Sequence, residues 1–168
     1  MNWYVIFVNE DKINDLIIYF NNQPNIHAFI PKIEKLMKKD GEKVFLQVPM
    51  FPNYVFIETQ LDEFEFNRYL MEIGNDVVSL INVMQSDSQT VLAISNEEKN
   101  LLESLFNHDY TITLSKGVII EGTLMVQEGP LMGKEEMIKK IDRHKRIALI
   151  GNVLGKVMKV PLEVTSKS

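Results

Sequence analysis

The pattern of apolar and polar positions changes several times along the chain, and each change marks an expected element. Residues 2 to 9 (NWYVIFVN) are rich in aromatic and β-branched side chains, which predicts a central strand covered on both faces. Residues 13 to 20 then place apolar side chains at the i, i+3, i+4 and i+7 positions of an amphipathic helix. This helix should end near Pro24.

Two extended segments, 28 to 37 and 43 to 48, flank the turn-like KKDG at 38 to 41, so this region predicts a hairpin. YVFIE at 54 to 58 predicts another buried strand, and residues 62 to 72 have helical periodicity.

Further along the chain, residues 77 to 84 (VVSLINVM) have the composition of a strand. Ser95 and Glu98 then form an S-x-x-E capping box, in which each side chain satisfies a backbone donor of the other residue, so a helix is expected to follow.

This order of elements predicts an α+β fold, in which an N-terminal antiparallel sheet with packed helices occupies residues 1–107. Residues 108–116 are a candidate linker, although YTITL within them is equally typical of a strand. Residues 117–168 contain short apolar stretches separated by glycines, which predicts a small β-barrel. Within that domain KEEMIKKI at 134 to 141 consists of helix formers, so a short helix is an open alternative.

Composition limits the class of protein. No apolar run approaches the length of a membrane span, and the N-terminus lacks the features of a signal peptide, so we expect a cytoplasmic protein without a membrane partner. The chain contains no cysteine, which excludes thiol catalysis and cysteine-based zinc sites. No phosphate-loop, dinucleotide, zincin or hydrolase motif occurs, and the three histidines lack metal-ligand spacing. We therefore expect neither catalytic residues nor a cofactor or metal.

Charge is distributed unevenly. Residues 1 to 116 carry 9 basic and 17 acidic side chains, a net of −8, whereas residues 117 to 168 carry 9 and 6, a net of +3. The two parts either face different partners or are two solvated surfaces of different charge.

Two segments could carry binding. In MFPNYVFIE at 50 to 58, Tyr54 and Phe56 lie on one face of their expected strand. This row is either core or, together with Phe7 and Phe51, an apolar cavity for a partner's side chains.

The second segment is KKIDRHKR at 139 to 146, which has five formal positive charges against the single Asp142. A turn between two strands would project these side chains together as a phosphate-attracting patch, and the alternative is a solvated hairpin tip.

The motifs WYVIFV at 3 to 8, FPNYVF at 51 to 56, and VQEGPLMG at 126 to 133 followed by KIDRHKRIAL resemble the NGN and KOW domains of NusG-type transcription factors. The resemblance covers nearly the whole chain. It implies a monomeric factor that docks on the clamp helices of the largest RNA polymerase subunit and approaches DNA in the elongation complex. It also implies that the residues facing polymerase are Phe7, Phe51, Tyr54 and Phe56.

The KOW half departs from the common NusG pattern, because Leu131 follows the Gly-Pro pair where phenylalanine is usual. The segment IDRHKR instead resembles that of the LoaP antiterminator paralogs, which implies recruitment by a nascent RNA hairpin. Alternatives are a general NusG elongation factor with a protein-binding KOW domain, a ribosome-associated KOW protein and, remotely, an enzyme. The expected RNA-binding residues are Lys134, Lys139, Lys140, Arg143, His144, Lys145 and Arg146.

Overall fold

The computed structural model of the chain describes residues 1–73 and 91–168 and consists of two compact units. The first unit comprises Met1–Ile30 and Phe51–Lys99, and the second comprises Pro31–Met50 and Asn100–Ser168. The described helices are α1 (Ile13–Asn21), α2 (Glu63–Glu72) and α3 (Asn96–Leu105). The described strands are β1 (Asn2–Phe7), β2 (Ile26–Phe29), β3 (Lys32–Lys39), β4 (Glu42–Pro49), β5 (Tyr54–Thr59), β6 (Leu92–Ala93), β7 (Thr111–Ile112), β8 (Ser115–Ile120), β9 (Thr123–Glu128), β10 (Lys140–Asp142), β11 (Ile147–Val153) and β12 (Lys156–Lys167).

The first unit is built on an antiparallel sheet with the strand order β2-β5-β1-β6. The predicted strand at the start of the chain is therefore confirmed as a central one. Four consecutive residues of β1, from Trp3 to Ile6, are buried, as expected for a strand with apolar side chains on both faces.

One face of this sheet packs against α1 and α2. Tyr4 and Ile6 of β1 meet Leu16 and Phe20 of α1 and Phe66 of α2 in a single apolar core. Full burial of a side chain of this size contributes about 1.5–3 kcal/mol, so this layer is a main source of stability for the unit.

Side-chain caps define the starts of two helices. Asp62 and Glu65 form a reciprocal capping box at α2. At α3 the predicted box is confirmed, because the Glu98 backbone N–H donates to Ser95 Oγ at 3.2 Å and the Ser95 N–H donates to Glu98 Oε1 at 3.4 Å. Such a cap is worth about 1 kcal/mol.

The predicted hairpin is confirmed as β3–β4. Asp40 and Gly41 join its strands and both have positive φ, as a two-residue type I′ turn requires. The expectation of one extended segment from 28 to 37 was wrong: Pro31 lacks an N–H and separates β2 from β3, which belong to different sheets.

The hairpin belongs to the second compact unit, in which β3 pairs in parallel with β7. The backbone N–H of Leu114 also donates to Glu34 Oε2 at 3.0 Å. Because β7 lies within residues 108–116, the strand interpretation of YTITL holds for Thr111 and Ile112.

The other strands of the second unit form a five-stranded sheet with the order β10-β11-β12-β8-β9. Its strands are antiparallel neighbours except for β8 and β12, which run parallel. The α+β class with a C-terminal β domain is thus confirmed. Its buried apolar side chains include Val126, Leu131, Ala148, Ile150, Val153, Met158, Val160 and Leu162.

The helix alternative at 134 to 141 reduces to a single 3-10 turn at Glu135–Met137, and β10 follows it. The strand predicted at 77 to 84 lies outside the described residues. In the part of the chain that the structure describes, no helix is long and apolar enough to cross a membrane.

Candidate functional site

A tight turn presents the FPNY segment. The Tyr54 N–H donates to the Phe51 carbonyl oxygen at 3.2 Å, and Asn53 has a φ of 69°. Proline at the second position and a left-handed residue at the third are the features of a type II turn. The Asn53 carbonyl oxygen also accepts from the Val8 N–H at 2.8 Å, which fastens the turn to the end of β1. The turn therefore places Phe51 beside the aromatic side chains of β5.

The four aromatic residues expected to bind a partner form one connected group. The Phe51 and Phe56 rings stack with centroids 5.9 Å apart, and the Phe51 and Tyr54 rings are steeply inclined to each other with centroids 6.5 Å apart. Tyr54 is paired with Phe7 across β5 and β1, and their rings are 5.5 Å apart. The structure thus brings Phe7, Phe51, Tyr54 and Phe56 together on the sheet face opposite α1 and α2, and we call these four residues the aromatic group.

Burial divides the aromatic group into two pairs. Phe56 is fully buried and Phe51 is 5% exposed, whereas Phe7 and Tyr54 are half-buried. Only a side chain with exposed surface can contact a partner directly without a rearrangement. Phe7 and Tyr54 are therefore the rim of the aromatic group, and Phe51 and Phe56 are its floor.

The sequence prediction missed two members of this face. Trp3 and Phe29 lie beside Phe56, with ring centroids 6.2 Å and 5.6 Å from it. Trp3 has the same strand parity as Phe7, so alternation along β1 could have identified it. Phe29 could not be found this way, because its place follows from the register of β2 against β5.

Polar groups border the aromatic face at its Trp3 end. The Trp3 indole N–H donates to Glu58 Oε2 at 2.8 Å, and Lys99 Nζ lies 5.7 Å from the Trp3 ring centroid, within range of a cation–π interaction. These contacts fix the orientation of Trp3.

The second candidate segment forms a hairpin, as predicted. Residues 143–146 connect β10 to β11, and we call them the basic tip. Arg143, His144 and Lys145 are exposed, while Arg146 is half-buried and has a φ of 56°. Within the described residues no side chain of the basic tip forms a salt bridge. Its positive charges are therefore available to an external anion.

Hydrogen bonds from two backbone N–H groups hold the basic tip. The Lys145 N–H donates to Asp142 Oδ1 at 2.9 Å, and the Leu162 N–H donates to the Arg146 carbonyl oxygen at 3.0 Å. The bond from Lys145 holds the pKa of the Asp142 carboxyl below its ordinary value, and the charges of Lys145 and His144 lower it further. Asp142 thus acts as an ionised acceptor that shapes the tip.

The remaining predicted RNA ligands have different surroundings. Lys139 and Lys140 are exposed where β10 begins. Lys134 is half-buried, and its Nζ donates to the Pro130 carbonyl oxygen at 3.1 Å. An ammonium group engaged in this way is a less available ligand than those of the basic tip.

A glycine corner supports the second unit. The Leu131 N–H donates to the buried Ser115 Oγ at 3.0 Å, and a Cβ at Gly129 would lie 2.5 Å from Ser115 Cα. Gly129 therefore allows the chain to approach β8 closely. Nearby, the Val126 N–H donates to Glu135 Oε1 at 3.0 Å, and this bond lowers the pKa of the Glu135 carboxyl.

No group of acidic or histidine side chains among residues 1–73 and 91–168 has the arrangement of a metal site. A family model described as transcription termination factor nusG matches residues 1–112. This match includes all four residues of the aromatic group and ends before the basic tip. No curated protein matches the chain.

Proposed function

Because the chain belongs to the NusG family of transcription factors, we propose that it is a processive antiterminator of the LoaP kind. A protein of this family binds RNA polymerase. In the proposed mechanism, residues 1–107 dock on the clamp helices of the largest polymerase subunit, and residues 117–168 bind a hairpin in the nascent leader RNA. The exposed basic tip is the observation that carries this proposal, since a concentrated cluster of positive side chains attracts the phosphates of a nucleic acid.

The aromatic group supplies the polymerase contact in this proposal. The half-buried rim formed by Phe7 and Tyr54 offers apolar surface, and aromatic side chains dominate the binding energy of many interfaces. Phe51 and Phe56 support that rim from below. The expected ligand is therefore an apolar helix face that packs against Phe7 and Tyr54.

Capture of core RNA polymerase by the full-length chain tests this contact. Tyr54→Ala should reduce affinity at least tenfold, in the range of an interface hot spot of about 2 kcal/mol. Phe64→Ala is the matched control, because Phe64 is 76% exposed on α2, which packs on the other face of the sheet. Equal capture by the Tyr54→Ala variant and the wild-type protein would remove the aromatic rim from the polymerase contact.

The basic tip supports the RNA contact through its charge and exposure. Arg143 and Lys145 extend from a turn and can approach the backbone or groove of a stem, while His144 can stack on a base. Recognition would rest mainly on RNA shape and phosphates. Such binding should weaken steeply as salt increases.

Affinity for structured RNAs from the leader of the protein's own operon tests this contact, with scrambled hairpins for comparison. The full chain is the appropriate sample, because residues 31–50 belong to the same compact unit as the basic tip. The triple variant Arg143→Ala, Lys145→Ala, Arg146→Ala should reduce the slope of log affinity against log salt by about 3. Lys38→Ala, Lys39→Ala, Lys43→Ala is the control, since it removes equal charge from the β3–β4 hairpin.

An unchanged salt slope in the basic-tip variant would refute these residues as phosphate ligands. Equally weak binding of every RNA would instead favour a general elongation factor with a protein-binding C-terminal domain. Met125 and Met132 favour that second candidate, because both are more than half exposed and methionine adapts well to protein partners.

The proposed action breaks no bond. By binding a pause-resistant conformation of polymerase more tightly than a paused one, the factor shifts the population toward continued elongation. RNA binding would concentrate the factor on selected transcripts in the cytoplasm.

A further inference from the structure

Strand pairing brings a distant lysine into line with the basic segment. Lys140 of β10 is directly opposite Leu149 of β11, and Leu149 is directly opposite Lys159 of β12. Side chains of directly opposite residues project from the same face of a sheet. Lys140, Leu149 and Lys159 therefore form one row across three strands, and we call it the lysine row.

The lysine row lies on the outer face of the sheet. The adjacent row consists of Ile141, Ala148 and Val160, and the last two are fully buried. Since neighbouring residues of a strand point to opposite faces, Lys140 and Lys159 project to the solvent side, and both are exposed. Two strand spacings separate their backbones by roughly 10 Å.

The lysine row contains no acidic residue, unlike a second row in the same sheet. There Lys116 lies between Glu163 and Glu128, and its Nζ is 3.7 Å from Glu128 Oε1. By contrast, neither Lys140 nor Lys159 forms a salt bridge with any described residue. Leu149 between them adds no charge.

From this arrangement we propose that the lysine row binds the sugar–phosphate backbone of an RNA stem. The basic tip contacts the same stem near its loop. This inference rests on the proposed RNA-binding function and extends its site from the β10–β11 turn to β12. The backbone would cross the strands, with one phosphate near each ammonium group. Contacts of this kind set the register of a nucleic acid without reading its sequence.

The test compares full-length variants in binding to an RNA hairpin with a long double-stranded stem at several salt concentrations. Lys159→Ala should lower the salt slope by about 0.9 and the affinity by about fourfold at 0.2 M salt, as counterion release predicts for one lost phosphate contact. Lys159→Arg should retain both values because it keeps the charge. Lys167→Ala is the matched control, since Lys167 is an exposed lysine near the other end of β12.

The outcomes separate this inference from the proposed function. If the basic-tip variants lose affinity while Lys159→Ala and Lys167→Ala both match the wild type, RNA binding stands and the lysine row is refuted. If the wild-type chain shows no salt-dependent RNA affinity, both are refuted. A circular dichroism melting curve for Lys159→Ala that matches the wild type assigns a lost affinity to the missing charge rather than to unfolding.

Discussion

The aromatic group and the basic tip differ in how their side chains relate to the fold. Phe51 and Phe56 stack on each other and on the sheet, so the same contacts that build the site also stabilise the first unit. Arg143 and Lys145 are exposed, and backbone bonds hold the turn that carries them. Binding and stability are therefore coupled in the aromatic group and separable in the basic tip.

The greatest loss of stability should follow a substitution in the floor of the aromatic group. Phe56→Ala removes a fully buried ring that packs against Trp3, Phe29 and Phe51, so it should reduce the free energy of unfolding by about 3–5 kcal/mol. Urea denaturation measures this change. Phe64→Ala, which removes an exposed ring, should stay within about 0.5 kcal/mol of the wild type. A similar loss for both variants would contradict the assignment of Phe56 to the floor.

The next largest loss of stability is expected from a backbone position, Gly129, that supports the C-terminal unit. Gly129 has a φ of 97°, and an added Cβ would clash with Ser115 Cα. Left-handed strain and this overlap together predict a loss of about 2–4 kcal/mol for Gly129→Ala, measured by urea denaturation.

Gly133→Ala is the matched control for Gly129→Ala. Gly133 also has positive φ but has no atom within 4 Å of an added Cβ, so only the strain of about 1–2 kcal/mol applies. Equal losses for the two variants would show that the close approach to Ser115 has no energetic role.

Local sequence patterns predicted those elements of the first unit whose characteristic residues all lie within one short segment. The periodicity of β1 and α1 and the Ser95–Glu98 capping box are of this kind. No short segment could predict the parallel pairing of β3 with β7, because these two strands are separated by more than seventy residues. No local pattern therefore assigned residues 31–50 to the C-terminal compact unit.

In the candidate sites, too, the sequence predicted only those residues that are close to one another along the chain. The FPNYVF motif identified Phe51, Tyr54 and Phe56, and the run of basic residues identified the tip, because their members are close in sequence. Which aromatic side chains are exposed depends on the packing of the whole unit. Lys159 is flanked by apolar residues in the sequence, and only the register of β11 against β12 places it in line with Lys140.

Substitutions at Arg146 test directly whether RNA binding by the basic tip is independent of the stability of the fold. This residue has a φ of 56°, which costs a non-glycine residue about 1–2 kcal/mol. Arg146→Gly should relieve that strain and, after the greater entropy of the unfolded glycine chain, raise the free energy of unfolding by about 0.5–1 kcal/mol. RNA affinity should nevertheless fall, because one positive charge is lost.

Arg146→Ala separates these two effects. It should lose the same RNA affinity as Arg146→Gly without the gain in stability, since alanine keeps the left-handed strain. Parallel changes in stability and affinity across the two variants would show that the tip is coupled to folding after all.

The smallest effect is expected at Asp142, whose carboxylate accepts the Lys145 N–H. Its pKa is lowered in the folded chain, so the stabilisation is present above the ordinary carboxyl pKa of about 3.9 and is lost as pH falls through the folded value. The amide chemical shift of Lys145, followed by NMR against pH, should therefore change with a midpoint below the ordinary pKa of an aspartate carboxyl. Asp142→Asn keeps an acceptor oxygen but removes the charge, so it should abolish this titration and modestly increase RNA affinity at neutral pH. A midpoint at or above the ordinary value would show that the hydrogen bond to Lys145 does not hold the turn in solution.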